Sequence, residues 1–228
     1  MGKSHDLATI KDDGLTVDNG NGNFVYLTTD GAIEMRRSGG GGYIDFHGSA
    51  VDYDARIQHH NNGLAFNVGG QGNHITGATI DASGRVTMQY QPSFLAYGSG
   101  GWQSGTTNGI GTWAWGRFIN VQHNQGGHYN STNNRFTAPV SGVYYLYVQA
   151  YHNSTAYARA QLWVNGGHGG AMPYALSHGR NTSGDSTLVS AMNVYLNAGD
   201  YVHPALYMDN GSIYYGGGHT YFSGYLIG

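Results

Sequence analysis

Glutamate occurs once in this 228-residue chain, at Glu34, and lysine only at Lys3 and Lys11. These residues usually clothe the solvent face of helices, where their straight side chains lose little rotamer freedom. A chain almost without them has little from which to build amphipathic helices. It carries instead 19 tyrosines, 39 glycines and many short Val- and Thr-containing runs. Aromatic and β-branched residues suit a pleated, half-buried surface, and glycine supplies the turns between strands. The expected fold class is therefore all-β. Cysteine is absent, which excludes disulfides, thiolate metal sites and thiol catalysis. A glycine-rich all-β chain without disulfides needs another source of stability. Oligomerisation is the natural one, because it covers strand edges and buries further apolar surface.

Charge narrows the partners. Only 10% of residues are charged, and the formal net charge is −3 with histidine neutral. No basic field is available to draw in nucleic acid or an anionic membrane. The opening stretch MGKSHDLATIKDD has no apolar signal core. No run approaches the roughly 20 apolar residues that span a bilayer. The expectation is a soluble chain with neither nucleic acid nor membrane insertion.

Two parts are legible. Residues 1–85 hold runs of four to six residues: 24–28, 32–36, 43–46, 55–58 and 64–68. Gly/Asn/Asp turns separate them, among them Asp18–Asn23, the glycine run 39–42 and 59–63. Strands this short bury little surface alone, so this part is expected to wrap with identical copies as a shaft or adaptor. Residues 75–88 read as a connecting hairpin with its turn at Asp81–Gly84. From residue 86 the strands lengthen: 143–151, 158–164 (ending in the turn signal Asn165-Gly166), 187–196, 201–208 and 220–227. About eight strands over residues 86–228 fit a jelly roll or sandwich head.

An ordered aromatic pattern runs through this second part. Phe118, Asn124, Tyr129, Phe136, Gly142 and Tyr144 follow one another with intervals of five, four, six, five and one residue. This resembles the signature of the C1q domain family. Leu146 and Val148 depart from it, standing where the family usually has aromatics. Residues 196–202, LNAGDYV, and 222–227, FSGYLI, look like the family's penultimate and closing strands. The resemblance covers about residues 90–228 and implies a C1q/TNF-like jelly roll acting as a binding head in a homotrimer, not as an enzyme. The residues agree independently of the name. Tyr144, Leu146 and Val148 share one strand face by period two, and Phe118, Phe136 and Phe222 are expected to pack on it. Gly142 is expected to adopt a turn conformation open to few other residues. In the first part, residues 31–37, 43–47 and 52–57 resemble stretches of bacteriophage tail-fibre and receptor-binding proteins. That resemblance implies a virion protein, extracellular when it acts. Its partners would be other tail proteins at one end and a host cell-surface polysaccharide or protein at the other.

Catalysis has little support: there is no G-x-S-x-G elbow, H-E-x-x-H or P-loop. Asp52 and Asp54 could serve a glycosidase as paired carboxylates about 7 Å apart on one strand face, but pairing with Arg56 or a neighbouring subunit is the plainer reading. Twelve histidines, including His59, His60, His123, His128, His168, His178, His203 and His219, show no zinc-type spacing. The turn Asp18–Asn23 lacks the twelfth-position carboxylate of an EF-hand. No cofactor is expected, though the family resemblance leaves calcium open. Sugar binding is the activity the composition suits, because flat aromatic faces stack on sugar rings and polar side chains satisfy hydroxyls. The candidate ligand-binding residues are Trp102, Tyr174, Tyr214 and Tyr215, all in glycine-rich segments; packing between subunits is the alternative for each. Trp113 and Trp115, just before a core strand, are expected in core or interface. The competing readings are a cellular C1q-like lectin or adhesion protein, a polysaccharide depolymerase, and a purely structural fibre segment.

Overall fold

A computed structural model describes residues 9–11, 14–18, 24–28, 33–36, 41–46, 54–70, 74–105, 111–166, 176–180, 184–216 and 218–228. The chain divides into two compact units, Met1–Gln89 and Tyr90–Gly228. All regular structure among the described residues is β.

The first unit holds two antiparallel sheets. One is a meander of β1 (Thr9–Lys11), β2 (Gly14–Asp18), β3 (Phe24–Thr28) and β4 (Ile33–Arg36). The other joins β5 (Tyr43–Phe46), β6 (Ala55–His60), β7 (Gly63–Val68), β8 (Ile75–Ile80) and β9 (Val86–Thr87) in chain order. Positive φ at Asn61 and Asn62 turns β6 into β7, a geometry asparagine tolerates better than most residues. Between β8 and β9 the Asp81 carboxylate accepts from the Ser83 and Arg85 amides and from the Arg85 guanidinium. These hydrogen bonds hold its pKa below the usual aspartate value.

Directly opposed residues share a sheet face. In the second sheet Ile44 lies opposite Ile57, Ile57 opposite Phe66, Val68 opposite Ile75, and Ile80 opposite Val86. One face is thus a continuous apolar surface with large side chains exposed: Phe46 is 51% exposed and Val68 50%. The opposite face is polar. Asp45 accepts two hydrogen bonds from Arg56, at 2.6 and 2.8 Å, and the guanidinium lies over Tyr43. Thr76 donates to the buried Asn67.

The second unit is a two-sheet sandwich. Its first sheet contains β10 (Ser93–Tyr97), β11 (Trp102–Gln103), β13 (Asn120–Gln125), β16 (Gly142–His152), β19 (Ser186–Leu196), β21 (Ile213–Tyr214) and β22 (Tyr221–Leu226). Its second contains β12 (Ala114–Trp115), β14 (Tyr129–Asn130), β15 (Arg135–Thr137), β17 (Tyr157–Val164), β18 (Leu176–Arg180) and β20 (Tyr201–Met208). Most connections cross from one sheet to the other, as the jelly-roll expectation requires. The longest pairing is β16 with β19, in unbroken register from Gly142↔Leu196 to His152↔Ser186.

Strict alternation along β16 sends Tyr144, Leu146, Val148 and Ala150 into the core. Phe94 stacks on Tyr129 and Phe136 and meets Phe222 edge-on, with centroids 4.8–5.0 Å apart. Each large side chain buried here contributes about 1.5–3 kcal/mol. The signature polar residue also has a visible job. The Asn124 side chain accepts from the Tyr129 amide and donates to its carbonyl, while the Tyr129 hydroxyl donates to the Phe118 carbonyl. Gly142 corrects its expectation: its φ is not positive. A Cβ there would lie 2.8 Å from Leu226 Cδ1 and 3.0 Å from the Gly228 carbonyl oxygen, so it is close approach of the closing strand that demands glycine.

Candidate functional site

Strand direction gives the sandwich two distinct ends. At one end the chain enters β10, where Ser93 lies opposite Tyr225. β16 begins at the same end, and the Val143 amide donates to the Gly228 carbonyl. Entry and C-terminus therefore share this end. β16 finishes at the other end, where Tyr151 pairs with Tyr214, and Tyr214 with Trp102. The segments after β16 and β20 meet there, and hydrogen bonds tie them together. The Asn153 side chain accepts from the Ser212 amide, and Asn210 accepts from the Ser154 hydroxyl and the Thr155 amide. His152, buried beneath, accepts from the Ser154 amide through Nδ1. Burial lowers its pKa, which favours the neutral ring.

Trp102, Tyr151, Tyr214 and His219 gather at this distal end. Tyr214 is the post. Trp102, Tyr151 and His219 stand at steep angles to it, with centroids 5.2, 6.2 and 5.1 Å away. Tyr151 lies 5.6 Å from Trp102 and 5.2 Å from His219. Its hydroxyl donates to Asp185 Oδ2 at 2.7 Å, and that hydrogen bond to a carboxylate raises the phenol's pKa. His219 is held by its Nδ1 at the Gly216 carbonyl. A Cβ on Gly216 would lie 2.9 Å from the Tyr214 ring and hydroxyl, so glycine lets the loop lie against the post.

Two sequence candidates, Trp102 and Tyr214, thus stand together. Tyr215 does not join them. Alternation turns it inward, it is 0% exposed, and burial pushes its hydroxyl up to about 12. It is a core residue against Phe118. Tyr174 lies outside the described residues, as do Asp52, His168 and most of the Asp18–Asn23 turn. Arg56, offered with a neighbouring subunit as the partner of Asp52 and Asp54, makes a bidentate ion pair with Asp45 across the strands. Tyr151, Asp185 and His219 carry no sequence signal of a site; only strand pairing brings them to Trp102. Among the described residues no three histidine or carboxylate side chains converge on one point.

Beside the cluster, the outward face of the same sheet is tyrosine-rich. Tyr147 stacks on Tyr221 at 5.3 Å, and Tyr145 meets Tyr225 at 5.4 Å. Burial, with the Tyr221 hydroxyl nearby, raises the Tyr147 pKa. A cleft of about 410 Å³ opens here, lined by Leu95, Tyr97, Gln122, Gly218 and Tyr221.

The second sheet carries a different aromatic group on its outer face. His203 is wholly buried, with Trp115 edge-on at 4.4 Å and Trp163 at 5.8 Å. Arg135 lies over Trp115 and Tyr201, 4.9 and 4.1 Å from the ring centroids. Neither His203 ring nitrogen has a hydrogen-bond partner among the described residues. Burial, and then the Arg135 charge, lower its pKa to about 4. Trp113, 5.5 Å from Trp163, completes a packed surface layer. Trp113 and Trp115 are therefore packing residues on the outside of the sandwich, Trp115 half-exposed.

The C1q domain model matches residues 104–227. Three solved structures illustrate the likeness in fold. The globular domain of zebrafish complement 1qA is 17% identical, covering 60% of this chain and 98% of its own, with a TM-score of 0.47. Murine APRIL is 12% identical, covering 60% and 99%, with a TM-score of 0.46. Eiger TNF from S. frugiperda is 12% identical, covering 60% and 93%, with a TM-score of 0.44. No curated protein matches.

Proposed function

Because the chain belongs to the C1q domain family, whose model spans residues 104–227, we propose that it is a homotrimeric binding head preceded by a β adaptor. Its role in this reading is to attach a bacteriophage tail fibre to a glycan or protein on the host surface. The observation that carries the assembly is the apolar face of the β5–β9 sheet. Ile44, Phe46, Leu64, Phe66, Val68, Ile75 and Val86 lie on it, each more than a third exposed. A contiguous surface of this kind, on a chain with few charges, calls for a partner, and identical copies supply one at matched concentration. The tyrosine face of the head gives a second surface for the same assembly. The tail-fibre part of the proposal is supported by residues 31–37, 43–47 and 52–57, which resemble phage fibre stretches. The proposed action is binding without catalysis, made strong by multivalency: three weak sites per trimer gain avidity beyond any one contact.

Light scattering on the intact chain tests the assembly: a mass near three chains is expected, and a mass of one chain would sink it. Antibodies raised against the protein are expected to block adsorption of the virion that carries it. Unimpaired adsorption, or location inside a capsid, would remove the tail-fibre reading. A gene joining this head to a secretory signal or collagen-like stalk would replace it with a cellular lectin.

A further inference from the structure

We infer that the distal cluster of Trp102, Tyr151, Tyr214, His219 and Asp185 is a binding site for an uncharged pyranose of a polysaccharide. The inference rests on the binding-head reading and names its ligand and its residues. Trp102 is 41% exposed at the sheet edge although two aromatic neighbours, Tyr151 and Tyr214, lie against it. Flanking glycines, Gly100, Gly101, Gly216 and Gly218, add no side chains that could shade the rings. An aromatic ring left this open suits the C–H face of a sugar.

The polar groups of the cluster choose among ligands. The Trp102 indole N–H, the Tyr214 hydroxyl, His219 Nε2 and Asp185 Oδ1 make no hydrogen bond with the described residues. They offer donors and acceptors side by side around an apolar face. A hydroxylated ring answers both kinds of group, whereas an aliphatic chain answers neither. Charge decides the rest. Asp185 is the one formally charged side chain of the five, so a carboxylated or sulfated sugar would meet a carboxylate with no cation of the cluster to offset it. The site lies at the opposite end of the head from the residue where the chain enters, the end a binding head turns outward.

The test uses the intact chain on surfaces bearing dextran, mannan or galactan, with polygalacturonate as the anionic comparison. At least one neutral polymer is expected to bind more strongly than polygalacturonate. Trp102→Ala should weaken that binding about tenfold or more, the size of one lost ring-stacking contact. Asp185→Asn, which preserves shape, should weaken it as well, and solution mass should stay unchanged in both. No neutral polymer bound, a preference for polygalacturonate, or equal binding by both variants would overturn the site. So would a fall in solution mass on Trp102→Ala, because the ring would then belong to the assembly. A three-chain mass with no neutral polymer bound removes this site and leaves the trimer; a one-chain mass with the expected sugar profile does the reverse.

Discussion

The two units use strands in opposite ways. In the second unit two sheets face each other, and Phe94, Phe118, Phe136, Tyr144 and Phe222 are sealed between them. In the first unit the β5–β9 sheet also has an apolar face, and most of its large side chains there stay more than a third exposed. The buried side chains there, among the described residues, are Ala65 and Asn67. Alternation alone therefore does not make a core. A sheet needs a second layer, and the length of chain available decides whether that layer is internal or borrowed. The second unit crosses between sheets at most connections and closes on itself, while the described strands of the first follow one another as meanders.

The strongest way to break this comparison is to separate the units. Residues 90–228 alone are expected to unfold in one cooperative transition. Residues 1–89 alone are expected to show sheet only when assembled, and Phe66→Asp with Val68→Asp to abolish both assembly and sheet. Circular dichroism with sedimentation equilibrium reads this, and a folded monomer of residues 1–89 would sink the contrast. Next in size is a cavity in the closed core. Phe94→Ala should cost about 3–5 kcal/mol in denaturant unfolding of the head, as buried aromatic truncations do. Phe46→Ala, on the open face, should leave that transition where it was.

The smallest effect comes from pH. His203 is neutral in the folded head, with its pKa lowered to about 4 against an ordinary 6.5. Between these values the unfolded chain binds a proton that the folded one refuses. Its contribution is therefore fully present above about pH 6.5 and is lost progressively as pH falls toward 4. The span corresponds to about 3 kcal/mol. His203→Gln should flatten that part of the stability profile, and an unchanged slope would show that another group sets it. Tyr201, Trp115 and Trp163 pack around the ring, and the Arg135 charge opposes its protonation.

Much of the head was legible because its signals are local. Period two along residues 143–151 and the aromatic spacing from Phe118 to Tyr144 are properties of adjacent residues, and each landed in the core. The hairpin at Asp81–Gly84 is likewise written in its turn chemistry. The distal site was legible only in part. Tyr214 and Tyr215 are neighbours of one kind, and one-residue alternation sends one outward and the other to the core. Nothing in two adjacent tyrosines says which goes where. Tyr151, Asp185 and His219 come from separate strands and loops, so their meeting with Trp102 depends on pairing register that no local pattern encodes. Gly142 shows a third case: its importance was readable, its reason was not, since the crowding comes from the end of the chain.

The shared end of entry and exit has a consequence for how such a head can vary. Gly228 lies beside Val143, at the end where β10 begins. A fusion at the C-terminus would crowd only the side already occupied by the incoming chain. The loops at the far end can lengthen or change composition without shifting the β16–β19 register that holds the sandwich together. In the proposed reading, specificity and foldability are thus kept at opposite ends of one object, and the first can be rewritten while the second is left alone.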